Sequence, residues 1–61
     1  MKTPEEHKAK AQELWLAFNE SEKHGVKFGM FPAGPMQEAD KQGYDSHTLV
    51  CALFDESKVK A

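Results

Sequence analysis

Cys51 is the only cysteine in this chain of 61 residues, so no disulfide can close within it. Of the usual staples of a small domain, this leaves a metal or a second subunit beside the apolar core. At this length about 60% of the surface of the unfolded chain is buried on folding, and the core contributes only about 3–5 kcal/mol net. There is room for one domain. The apolar fraction is 39%, with four Phe, one Trp and one Tyr, which is enough for a core and too much for plain disorder. A lone thiol fits a reducing compartment. The opening Met1-Lys2-Thr3-Pro4-Glu5-Glu6 is charged and carries no apolar run. The longest such run, Leu49 to Phe54, is far too short to span a membrane. A cytoplasmic protein without membrane contact is expected.

The clearest local signal is Thr3-Pro4-Glu5-Glu6. Thr3 reads as an N-cap, Pro4 as the first helical residue and Glu6 as the returning partner of a capping box. Ala11, Leu14, Trp15 and Phe18 then recur on one helical face, while Leu16 falls on the opposite side. His24-Gly25 offers a C-terminal stop. A first helix is therefore predicted over 4–23.

Val26, Phe28 and Met30 alternate with Lys27, Gly29 and Phe31. That period of two predicts an extended segment over 26–31, ended by Pro32. In this phase Phe28 and Met30 complete the core and Phe31 faces out. Pro35 opens a second helix over 35–42, with Met36 and Ala39 inward and Gly43 as its cap. Asp45 or Ser46 caps a third helix over 46–58, on which Leu49, Val50, Leu53 and Phe54 form the apolar face. Glu56 and Lys60 are spaced for an i,i+4 pair. The expected fold is mainly α, a compact three-helix bundle with a short extended segment between helix 1 and helix 2.

His47, Cys51 and Asp55 recur at i, i+4 and i+8 on one strip of the third helix, and His7 or His24 could complete a metal site. The strip lies off the apolar face, and the chain has neither C-x-x-C nor H-E-x-x-H. Cys51 and His47 also supply a thiol and a base one turn apart. A chain this short leaves little room for a substrate cleft beside a core. No metal, cofactor or catalytic residue is assigned, and the protein is not expected to be an enzyme.

Ala39, Gly43 and Leu49 carry the small-residue, glycine and apolar spacing of a bihelical DNA-binding unit. In that respect the segment resembles the helix-turn-helix family. Val26 to Phe54, one extended segment followed by two helices, is similar to a ribbon-helix-helix domain. There Lys27, Gly29 and Phe31 would face the bases and a second chain would supply the other strand. These resemblances imply a small dimeric DNA-binding regulator. Against them, all eight basic residues are lysine and the net charge is -2, whereas base reading favours arginine and phosphate contacts need cations. Asp45, Ser46, His47 and Thr48 would open the recognition helix, with no Lys or Arg among them.

The segment Phe28 to Met36 packs two Phe and two Met among Gly, Pro and Ala. Such side chains anchor protein interfaces. Phe31, Met36 and Leu16 are the candidate partner-binding residues. The function expected is a non-enzymatic protein-binding module, an accessory protein or inhibitor acting as monomer or homodimer. It would dock on another protein through an apolar patch with a charged rim.

Overall fold

A computed structural model describes residues 2–59. They form four helices: α1 (Pro4–Ala17), α2 (Glu20–Lys27), α3 (Ala33–Lys41) and α4 (Ser46–Val59). The molecule is mainly helical as expected, but it has four helices rather than three. No strand occurs among the described residues.

The Thr3–Glu6 box is formed. Thr3 Oγ1 accepts from the Glu6 N–H at 3.1 Å, and Glu6 Oε1 accepts from the Thr3 N–H at 3.0 Å. The helix expected over 4–23 breaks because a second box of the same form follows it. Asn19 Oδ1 accepts from the Glu22 N–H at 2.8 Å, and Glu22 Oε1 accepts from the Asn19 N–H at 2.9 Å. Phe18 turns into extended backbone (φ −69°, ψ 141°) to join the two helices. Its side chain stays in the core.

The stop expected at Gly25 lies four residues further on. Gly25 is inside α2, and the left-handed residue is Gly29, at φ 81°. The Met30 N–H donates to Gly25 O at 2.9 Å and the Gly29 N–H to Val26 O at 3.0 Å. Those two bonds define a Schellman turn. It brings Met30 so close that a Cβ on Gly25 would stand 3.1 Å from Met30 O. Residues 26–31 are thus not extended. Val26 and Lys27 are helical, and the chain reverses through Phe28 and Gly29. The ribbon pairing read from the period of two has no strand to use. α3 ends in the same way, with Gly43 at φ 97°, Tyr44 N–H on Ala39 O and Gly43 N–H on Asp40 O, both 3.1 Å.

α3 begins at Ala33, two residues before the expected start. Pro35 is then its third residue, where a missing N–H still costs no intrahelical bond. Asp45 caps α4, its Oδ2 accepting from the Thr48 N–H at 2.9 Å and the Thr48 hydroxyl at 2.8 Å.

The core consists of Ala11, Leu14, Trp15 and Phe18 from the first helix and its cap, Val26, Ala39, Leu49 and Leu53. α4 packs against each of the other three helices, most extensively against α1. Val50 and Phe54, expected in the core, are half-buried. Lys60, the expected partner of Glu56, lies outside the described residues.

Candidate functional site

The Schellman turn determines which side chains the α2–α3 connection offers to solvent. A period of two presupposes extended backbone, and here the backbone reverses. Phe28 is 69% exposed and Met30 64%, although the alternation placed both in the core. The His24 ring lies beside the Phe28 ring, centroids 5.1 Å apart. Phe31 takes the inward place instead. It packs edge-on against Phe54, with centroids 5.4 Å apart and planes at 84°. A Cβ on Gly29 would sit 4.0 Å from the same Phe54 ring. The turn therefore lies over Phe54.

Beside it opens a cleft of about 680 Å³, lined by Lys27, Cys51, Phe54, Asp55, Ser57 and Lys58. Its apolar floor is Phe54, and two lysines and one aspartate stand around it. Phe28 and Met30 stand exposed on the turn and do not line this cleft; Met30 borders a separate depression with Ser21, Glu22, Gly25, Phe31 and Pro32.

Of the residues singled out from sequence, Leu16 is 76% exposed, on the far side of α1 from the core stripe. Phe31 and Met36 are half-buried and packed against the core, so neither is freely presented. Phe28 and Met30 were missed as exposed groups; the signal was Gly29, whose left-handed conformation ends α2.

His47, Cys51 and Asp55 are exposed. The described residues contain no group of three His, Cys, Asp or Glu side chains placed to hold a metal. Of the two histidines considered for completing that site, His24 is exposed on α2 beside Phe28, and His7 is buried and committed elsewhere. Its Nδ1–H donates to Thr3 O at 2.8 Å, and its Nε2 accepts from the Asp45 N–H at 2.8 Å. The Tyr44 ring stands edge-on to it, at 5.3 Å between centroids. Lys2 and Lys10 lie over the Tyr44 ring at 5.1 and 5.7 Å. This cluster fastens the α3–α4 turn to the start of α1.

Comparison with known proteins gives no further guide. No protein family, characterised protein or solved structure matches the chain. No helix among the described residues is long and apolar enough to cross a membrane.

Proposed function

We propose that the protein is a non-enzymatic protein-binding module of the cytoplasm, an accessory protein or inhibitor that docks through the α2–α3 turn. The observation that carries this reading is the exposure of Phe28 and Met30, at 69% and 64%, beside a cleft floored by Phe54. Aromatic and methionine side chains held out by a tight turn are the material of interface hot spots. The partner is a protein that offers an apolar side chain to the cleft and a carboxylate to Lys27 or Lys58. Leu16 provides a second contact, while Phe31 supports the patch from beneath.

The test uses three variants: Phe28→Ser with Met30→Ser, Lys27→Ala, and Leu16→Ser. Proteins captured from the source cell's lysate by the wild-type chain are identified, and the affinity of the captured partner is then measured. The double variant should weaken binding by more than about 1–2 kcal/mol, the hot-spot scale. Lys27→Ala should act mainly on the association rate. Binding to duplex DNA that falls steeply with salt and is lost only in lysine variants would replace this reading with the regulator.

A further inference from the structure

Glu56 holds a position that a carboxylate rarely occupies. It follows Leu49 and Leu53 at i+7 and i+3, so the core stripe of α4 runs on into it. The residue is only 6% exposed, and its Oε1 has no hydrogen-bond partner among the described residues. Leaving such an atom unpaired costs stability, and more when it carries charge.

The hydroxyl and imidazole donors nearby are already used. His7 offers its one N–H to Thr3 O, the Thr48 hydroxyl donates to Asp45, and the Ser57 hydroxyl donates to Phe54 O at 2.7 Å. Lys8 is exposed. Glu56 lines a cleft of about 420 Å³ between α1 and α4, within the size range of small-ligand sites. Pro4, Ala52 and Val59 give the cleft apolar walls; Asp55 adds a second carboxylate and Lys8 one ammonium, so the two carboxylates outnumber the one lysine. Apolar walls beside a carboxylate with one unpaired oxygen suit a group with an aliphatic stem and a cationic end.

We infer that the α1–α4 cleft binds an alkyl-ammonium or alkyl-guanidinium group, with Glu56 as its acceptor. This site is separate from the α2–α3 turn and does not depend on the reading proposed above. The cation could be a lysine or arginine side chain of a protein or a free aliphatic amine, and the chemistry is shared.

The test is a titration of the 15N-labelled chain with n-butylguanidinium, followed by amide chemical shifts, with 1-pentanol as an uncharged control. N-acetyl-arginine amide and putrescine form two further arms, and the tighter of the two assigns the source. Saturable shifts are expected at Lys8, Ala52 and Glu56. They should weaken about tenfold or more in Glu56→Gln, as the loss of a charge-assisted hydrogen bond requires. Glu56→Met should also melt higher than wild type, because it removes a buried carboxylate without a partner. Equal shifts with pentanol, or undiminished binding to Glu56→Gln, would overturn the inference. So would a lower melting temperature in Glu56→Met, the mark of a carboxylate already paired within the chain.

Discussion

His7 shows how one side chain can join distant parts of a small fold. It is buried, and its two nitrogens connect Thr3, at the start of α1, with Asp45, at the start of α4. The bonds require the tautomer with its proton on Nδ1. His7→Ala leaves the Asp45 N–H without its acceptor, at a cost of about 1–3 kcal/mol. The expected result is a clearly lower urea midpoint; an unchanged midpoint would mean that water replaces the ring.

The cap carboxylates next to this histidine add an acid dependence. Glu6 is held below its ordinary 4.5, first by the Thr3 N–H and then by the Thr3 hydroxyl. Asp45 is held below its ordinary 3.8, first by the Thr48 N–H and then by the Thr48 hydroxyl. Both folded values are depressed. Their stabilisation is therefore complete above the ordinary values and is lost as pH falls through the folded ones. Asparagine caps nearly as well as aspartate and does not titrate. Asp45→Asn should melt close to wild type at neutral pH and lose less of its melting temperature on acidification.

At the level of elements, the chain states its helix starts more clearly than its stops. Thr3-x-x-Glu6 is legible and is formed as read. Asn19-x-x-Glu22 follows the same rule, but Phe18 continues the apolar stripe of α1 and hides the break. The stripe persists because Phe18 remains buried after the helix has ended. Two glycines could stop α2, and local sequence does not choose between them. The choice follows from packing: Gly25 must be small so that Met30 can close over it, while Gly29 must reverse the chain. Once α2 reaches Lys27, the apparent strand disappears; Val26 stays inward as read, and Phe31 replaces Phe28 and Met30. The α4 stripe was legible as far as Leu53, but its extension onto Glu56 goes unnoticed when only apolar residues are counted.

The glycines give a paired prediction. Gly29→Ala should destabilise by about 1 kcal/mol, since alanine resists a positive φ. Gly34→Ala, in α3 with nothing within 4 Å of its added Cβ, should stabilise by up to about 1 kcal/mol. Chemical denaturation of the two variants checks both signs.

For the molecule as a whole, eight side chains among the described residues form the core that holds α1, α2 and α3 around α4. Phe28 and Met30 are outside it, which is unusual where every buried methylene counts. Large exposed apolar groups that contribute little to folding are available for contact, and the proposed surface rests on that division. The most direct measurement is a comparison of melting temperatures for the Phe28→Ser, Met30→Ser double variant and for Phe31→Ala. The double variant should melt at or above the wild-type temperature, and Phe31→Ala should melt several degrees lower, about 1–3 kcal/mol in stability. A large loss in the double variant with little change in Phe31→Ala would put Phe28 and Met30 back in the core and contradict the surface.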